Sequence, residues 1–491
     1  MKSSTGGKPR WIWQCMAATL LGQFVVVAQS WQTVDDFALP GADAEAHGVA
    51  VDAAGRVYVV GTANGHAIVR YSADRGANWV TRDDFVYPSE TNSPPETNNL
   101  FNAVTLNPQG DLFVGGASTA FVGGVNAQHW IVRRSRDRGV SWEIVDDYYV
   151  PRNGPIEGID AVVYSLSSDG QGRVYGAGRL RPTGPGYPHW LVRGSSIGGT
   201  NWDSKLVIFS GYADVSQLTW AGEDVYVTGS VSDSDLTTGL ILRSSDYGAS
   251  WTTNFAGNQD FHAAITHDSA TNLYSAGFSR SSNSVDWLVR KAPSGGTNWT
   301  ILDRLTYEGD SSGSGIDQAN PRSIAIDPAG NICVAGQFLD YYFTNGSGGA
   351  TWTWFIRQFS VATRQWSTTD LFSYSTNRQG VANGTAIAPD GSAFVVGYGT
   401  TESGQRRWVV RKGSAVRPPP RLQIAVASGA IAVSWPAAYT NSVLEWTDSP
   451  GVNQIWQACP ETVSKVEGQN TVTCELTPRA RFFRLKSVAG Q

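Results

Sequence analysis

The residues of this chain that could do chemistry are scattered. Six loop carboxylates, Glu45, Glu90, Glu157, Asp160, Glu308 and Asp317, are of the type that works in pairs in glycoside hydrolysis, one as acid and one as nucleophile or base. Their spacing selects no two of them. The six histidines do not cluster, and His129 and His189 each stand just before a tryptophan, which points to a structural role. No metal-ligand spacing appears. Asp52 and Asp327 fall in Asp-x-x-Gly turns, which they can cap without calcium. No metal and no other cofactor is therefore expected. Of the four cysteines, Cys15 lies in the N-terminal segment, Cys333 sits alone in a strand-like run, and Cys459 and Cys474 lie close together near the C-terminus. The expectation is a local Cys459–Cys474 disulfide, contributing about 3 kcal/mol on the chain-entropy argument, and one buried free thiol at Cys333.

The elements that must position these residues are short strands. The chain has 491 residues, enough for two or three domains. Only 16% are charged, while Gly numbers 54 and Trp 19. Lysine is scarce, and Gly, Ser, Thr, Val and Trp are favoured, a composition of strands and turns. The net charge is −5, and no basic run interleaves with aromatics, which argues against a nucleic-acid partner. Lys2, Lys8 and Arg10, the apolar stretch from Trp11 to Val27, and the small residues of Ala28-Gln29-Ser30 read as a secretory signal over residues 1–30. The mature chain is then expected to be exported, secreted or held in the periplasm or on the outer surface of a bacterium, and not to span a membrane.

One unit recurs along the chain. A strand and turn (Val49-Ala50-Val51-Asp52-Ala53-Ala54-Gly55) lead to a second strand ending in glycine, Val57–Gly61. That second strand returns as Leu112–Gly116, Val174–Gly178, Val225–Gly229, Leu273–Gly277, Ile332–Gly336 and Ala393–Gly397, the glycines 48 to 62 residues apart. A third strand ends in arginine each time, at Arg70, Arg133, Arg193, Arg243, Arg290, Arg357 and Arg411. A fourth opens at Trp79, Trp142, Trp202, Trp251, Trp299 and Trp366. The seventh unit lacks its fourth strand, and Trp31-Gln32-Thr33-Val34-Asp35-Asp36-Phe37 matches Trp79-Val80-Thr81-Arg82-Asp83-Asp84-Phe85. The fold expected is all-β: a seven-bladed β-propeller over 31–416, closed by the N-terminal strand. A Pro-rich linker over 417–420 and a small C-terminal β-sandwich over 421–491 follow.

The turns between third and fourth strands carry a family signal. Ser72 to Trp79, Ser135 to Trp142 and Ser244 to Trp251 fit S-x-D-x-G-x-x-W; Ser195 to Trp202 and Ala292 to Trp299 keep Gly and Trp but lose the Asp. The chain thus resembles Asp-box (BNR) repeat propellers, a group with the sialidase-like fold that includes sialidases, some glucanases and sorting receptors. Ile324-Ala325-Ile326-Asp327-Pro328-Ala329-Gly330-Asn331 also resembles the bacterial β-propeller repeat. Ile431 to Pro436 and Arg481 to Leu485 resemble C-terminal β-modules of exported bacterial proteins. The resemblance implies that Asp74, Asp137 and Asp246 are structural turn residues rather than a site. It implies no sialidase chemistry, because no Arg-Ile-Pro-type segment precedes the first Asp box. The seven arginines lie on seven sheets, so pairing with carboxylates such as Asp83, Asp146 or Asp303 in exposed ion pairs is expected of them.

The variable segments are where function is sought. Ala117–His129, Arg179–His189 and Gln337–Thr353, with 86–101, 148–160 and 304–321, are long and differ between units, and they read as loops on one face. His47, Asn102, Arg322 and Asn383 share one register, five residues before the Asp52-equivalent position, near the mouth of a propeller channel. Tyr341, Tyr342 and Phe343 add aromatics on the same face. These seven residues are the candidate ligand site. The expected function is non-catalytic binding of an extracellular glycan, peptide or protein ligand by a monomer, with a sialidase-like glycoside hydrolase as the alternative.

Overall fold

The structure, a computed structural model, describes residues 30–88, 98–122, 125–149, 159–182, 187–208, 212–233, 236–281, 285–306, 318–344, 347–375, 378–415, 422–427, 430–436, 442–448, 455–466, 469–475 and 481–487. The side chains of 120–127, 159, 182, 340–350, 427, 442, 466, 486 and 487 fall outside this description. So do residues 1–29 with Cys15, the prolines at 418–420, and the carboxylates Glu90, Glu157, Glu308 and Asp317. No helix occurs among the described residues, and hence none long and apolar enough to cross a membrane. The chain divides into two compact units, with the described residues 30–415 in one and 422–487 in the other.

The larger unit repeats a four-stranded antiparallel sheet. The first sheet runs Ala44–Val51, Val57–Ala63, His66–Ser72 and Val80–Phe85, each strand paired to the next. The next five follow in the same order over 99–148, 159–208, 212–258, 260–305 and 318–372. A single parallel contact, Val285 to Gln318, links the fifth to the sixth. The seventh sheet takes three strands from 380–413, and its fourth is Trp31–Phe37, antiparallel to Arg406–Gly413 with Trp31 opposite Gly413 and Phe37 opposite Trp408. The repeat match between 31–37 and 79–85 therefore locates that strand correctly.

Burial explains the composition of each position. The second and third strands are central in their sheets and covered on both faces, so they are nearly continuous apolar runs, as in Val57–Ala63. The third-strand tryptophans Trp130, Trp190, Trp287, Trp354 and Trp408 are fully buried. Fourth strands lie outermost and are largely polar, as in Val80–Phe85.

Two segments read from sequence as loops are strands. Leu112–Val122 and Val125–Ser135 pair continuously out to Val122 opposite Val125. Ile332–Thr344 and Ser347–Ser360 pair out to Thr344 opposite Ser347. The expected loops Ala117–His129 and Gln337–Thr353 are thus long β-hairpins. In the sequence, Gly123-Gly124 and Asn345-Gly346 are two-residue hairpin signals.

The smaller unit has two sheets. One orders Gln423–Ala427, Ala430–Pro436, Gln469–Glu475 and Ser464–Val466; the other orders Gln457–Ala458, Ser442–Thr447 and Phe482–Ser487. Both contribute to one core of Val433, Trp435, Leu444, Val472 and Cys474, with Phe483 and Leu485 against it.

Candidate functional site: a ring of bulged residues

The first strand of each sheet in the larger unit is its inner edge. These edges neighbour one another in a closed circuit, from Ala44–Val51 through Asn99–Leu106, Ile159–Ser168, Tyr212–Ala221, Asp260–His267, Gln318–Ile326 and Gly380–Ile387, and back to the start. Each carries one extra residue that skips the ladder at the same point. His47 is skipped between Ala46 and Gly48, and the equivalents are Asn102, Tyr164, Ser216, Ala263, Arg322 and Asn383. These are β-bulges, which re-aim side chains and gather beside binding and active sites.

The repeated glycine ending each second strand is the counterpart of the bulge. The residue before the bulge pairs with Gly61, Gly116, Gly178, Gly229, Gly277, Gly336 or Gly397. A Cβ on Gly61 would stand 1.9 Å from the Glu45 carbonyl oxygen and 2.6 Å from the Trp408 ring of the seventh sheet. The same carbonyl clash, at 1.7 to 2.3 Å, recurs at all seven glycines. A strand glycine as the mark of a bulge is the signal that also identifies Tyr164, Ser216 and Ala263, which sequence reasoning missed.

Side chains beside the bulges stitch the inner edges together. Asn102 Nδ2 donates to the Val163 carbonyl at 2.8 Å, and Asn383 Nδ2 to the Ala46 carbonyl at 2.9 Å, across the closure. Ser165 Oγ, Gln217 Oε1 and Ser323 Oγ accept from the backbone N–H groups of Leu218, Ile265 and Thr385 at 3.1, 2.8 and 2.9 Å. Adjacent inner strands share no ladder of their own, so these bonds satisfy edge groups that would otherwise lack partners.

Other polar atoms at this level have no partner among the described residues. His47 Nδ1, Asp214 Oδ1, Asn320 Oδ1 and Arg179 Nε are buried without a hydrogen bond. Asp214 and Asn320 stand two residues before the bulges at Ser216 and Arg322. Arg322 donates to Asn383 Oδ1 at 3.3 Å, and no carboxylate lies within ion-pair distance of it among the described residues. Its surface still reaches solvent, so the lowering of its guanidinium pKa by surrounding protein leaves it charged. Burial pushes Glu45 upward, but His47 at 3.6 Å and Arg406 at 2.5 Å outweigh it, and its carboxyl ends below the ordinary range. Burial pushes Tyr164 up to about 12, with Asp214 adding to the shift and Arg179 opposing it. Burial likewise raises Asp214 against Arg179. The ring thus offers a cation, a protonated phenol and unfilled donors and acceptors. That inventory suits holding a polar ligand, whereas a phenol this hard to ionise is a poor nucleophile.

The structure brings His47, Asn102, Arg322 and Asn383 into one ring. Tyr341, Tyr342 and Phe343 lie on the strand Ile332–Thr344, opposite Ala350, Gly349 and Gly348, and their side chains are outside the described residues. Of the loop carboxylates, Glu45 is engaged as above, and Asp160 accepts from the Gln128 N–H at 3.3 Å. His129 is buried with Nδ1 2.7 Å from Asp147, its ring against Tyr87 and Tyr149.

Asp74, Asp137 and Asp246 hold turns. Asp74 Oδ1 accepts from Ser72 Oγ and the Asn78 N–H, both at 2.8 Å, while Ser72 Oγ accepts from the Gly76 N–H at 2.8 Å. Trp79 Nε1 donates to the Gly76 carbonyl at 3.1 Å, and the pattern repeats at Trp142 and Trp251. Arg75 and Gly76 both have positive φ, 59° and 88°. Hydrogen bonds, first those from the residue four positions on, lower each aspartate pKa to about 2.

The third-strand arginines are not in exposed pairs, as expected from sequence, and most do not pair within their own sheet. Arg70, Arg133, Arg193, Arg357 and Arg411 reach back to Asp35, Asp83, Asp146, Asp303 and Asp370 on the outer strand of the preceding sheet, and all five pairs are largely buried. Arg243 and Arg290 instead pair within their own sheets, with Asp224 and Asp260.

The expected Cys459–Cys474 disulfide is not formed; both are free thiols, as is the fully buried Cys333. The two sulfurs and a Glu461 carboxylate oxygen lie within 4.8 Å of one another. Cys333 accepts from Thr385 Oγ1 at 3.6 Å, and burial pushes its thiol up to about 11.

Comparison with known proteins agrees on the fold and stops there. A family described as a β-propeller repeat (SBBP) matches residues 37–66. No curated protein matches the chain. Among solved structures, the GH74 enzyme of Niastella koreensis is similar at 14% identity, covering 94% of this chain and 74% of its own, with TM-score 0.47. An oligogalacturonate lyase in complex with manganese is similar at 8%, covering 79% and 97%, TM-score 0.46. YCF48 from Cyanidioschyzon merolae is similar at 12%, covering 78% and 98%, TM-score 0.41. The repeat match and the repeated four-stranded sheets make this a β-propeller fold, a fold that hosts enzymes and non-enzymes alike.

Proposed function

We propose that the chain is an exported, non-catalytic binding protein that takes an extracellular glycan or peptide at the axis of a seven-bladed propeller. In this reading the seven sheets are blades, the Trp31–Phe37 strand closes the ring, and the Ser72–Trp79, Ser135–Trp142 and Ser244–Trp251 turns are Asp boxes. The smaller unit is a β-sandwich that spaces or tethers the propeller, and residues 1–30 direct export. The observation that carries the reading is the ring of bulged residues. Seven side chains leave the ladder at one level, and His47 Nδ1, Asp214 Oδ1, Asn320 Oδ1 and Arg179 Nε beside them are buried without a partner among the described residues. Such groups cost free energy unless water or a ligand completes them.

The test is retention on a glycan array and in a peptide pulldown, comparing the exported chain with a His47→Ala plus Arg322→Gln variant of equal stability. Loss of a specific signal in the variant is expected. Equal retention by both, or none by either, removes the ring as the site. Release of reducing sugar at ordinary enzyme rates overturns the non-catalytic assignment.

A further inference from the structure

We propose that Cys459, Glu461 and Cys474 form a zinc site that joins the two sheets of the smaller unit. Cys474 lies on Gln469–Glu475, in the first of those sheets. Cys459 directly follows Gln457–Ala458, in the second, and its N–H donates to the Leu444 carbonyl at 2.8 Å. Glu461 comes two residues later. Their two sulfurs and a carboxylate oxygen already lie within 4.8 Å of one another. Tetrahedral zinc, with Zn–S near 2.3 Å and Zn–O near 2.0 Å, needs ligand atoms roughly 3.3–3.8 Å apart, a small contraction from there. Glu461 is half-buried, which leaves the fourth position to water.

One observation favours a cation over a disulfide. Glu461 Oε2 is buried with no hydrogen-bond donor among the described residues. A disulfide supplies no proton and would leave that oxygen as it is, beside two more electron-rich atoms, whereas a cation uses all three groups. A core of Val433, Trp435, Leu444, Val472 and Cys474 is also small for an independent unit, and units of this size usually need a staple, which either a metal or a disulfide supplies. Burial raises both thiols, followed at Cys459 by Cys474 and then Glu461, and at Cys474 by Glu461. Binding exchanges two thiol protons, released to solvent, for one Zn²⁺ held by two thiolates and the carboxylate. Arg481, whose guanidinium lies over the Trp446 ring at 4.6 Å, acts on both sulfurs and offsets the remaining negative charge.

The experiment titrates Co²⁺, then Zn²⁺, into the full-length chain purified metal-free and kept reduced. The expected result is one Co²⁺ per chain with a thiolate-to-metal charge-transfer band, abolished by Zn²⁺ and by Cys474→Ser. Glu461→Gln, which keeps both thiols and the shape of the side chain, should weaken binding at least the tenfold that loss of even an outer partner of a metal costs. A reduced chain with no such band overturns the proposal. So does a band that survives Cys474→Ser and Glu461→Gln, or a natively isolated chain that carries no metal and whose Cys459 and Cys474 are oxidised to each other.

Discussion

Asp35 accepts two hydrogen bonds from the guanidinium of Arg70, at 2.8 and 2.6 Å, and so ties the outer strand of the seventh sheet to the third strand of the first. Both groups are largely buried, at 7% and 11% side-chain exposure, so little solvent screens the pair. Arg70 also lies over the Phe37 ring at 4.5 Å. Removing one partner leaves the other charge buried and alone, at a cost of about 3–5 kcal/mol. Asp35→Ala is therefore expected to lower the urea midpoint by that equivalent and to expose residues 31–37 to limited proteolysis. Asp35→Leu with Arg70→Met should recover most of the loss. A double variant no better than the single would show that the pair does not act as a unit.

The turn aspartates set an acid limit. Asp74, Asp137 and Asp246 each have a folded pKa near 2, below the ordinary carboxylate value near 4. A depressed carboxylate contributes stability that is complete above its unfolded pKa and is lost as pH falls through the folded one. Stability should thus decline between about pH 4 and pH 2. Asp74→Asn with Asp137→Asn and Asp246→Asn should lower stability at neutral pH and flatten that decline. Unfolding midpoints of both proteins across this range check it, and parallel curves would refute the assignment.

Gly61→Ala tests the bulge. The new Cβ meets the Glu45 carbonyl oxygen at 1.9 Å and the Trp408 ring at 2.6 Å. Backbone cannot rotate away as a side chain can, so the cost should exceed the usual overpacking range of about 1–3 kcal/mol. Gly41→Ala is the control, since a Cβ there meets nothing within 4 Å although its φ of 72° adds strain of its own. A loss at Gly61 no larger than at Gly41 would sink the account.

Stability and binding should separate within the ring. Asn102→Leu leaves the Val163 carbonyl without its donor and should cost about 1–3 kcal/mol, measured by urea unfolding. Arg322→Gln removes a solvent-reaching guanidinium that has no carboxylate partner among the described residues, and should change stability by less than about 0.5 kcal/mol. If Arg322→Gln unfolds the chain as readily as Asn102→Leu, Arg322 is a structural residue.

Much of the fold was legible because a repeat samples one physical problem seven times. The Val57–Gly61 phrase and its copies placed the second strands, and the likeness of Trp31–Phe37 to Trp79–Phe85 placed a strand that pairs with the far end of the unit. His47, Asn102, Arg322 and Asn383 were found by register alone. Their shared role as bulges was not seen, because the glycine that marks a bulge sits on the neighbouring strand. Tyr164, Ser216 and Ala263 were missed for the same reason. Asp83, Asp146 and Asp303 were named as partners of the arginines, but the burial of the pairs and their crossing to the previous repeat were not seen. The strand pairs ending at Val122 opposite Val125 and Thr344 opposite Ser347 were read as loops because length was weighed above turn chemistry. Glu461 escaped notice beside the cysteines because a carboxylate so close to a disulfide has no role there.

A residue that skips the ladder takes no part in the pairing that holds its sheet together. His47, Ser216, Ala263 and Arg322 can therefore be exchanged at little expense to folding, while the glycines opposite their neighbours cannot, and Tyr164 is held by its packing against the core of Tyr175 and Trp190. Relatives of this chain would be free to diverge at these positions, one sheet at a time, on an unchanged scaffold. Variation concentrated at these positions, between invariant glycines, would be the trace left by that freedom.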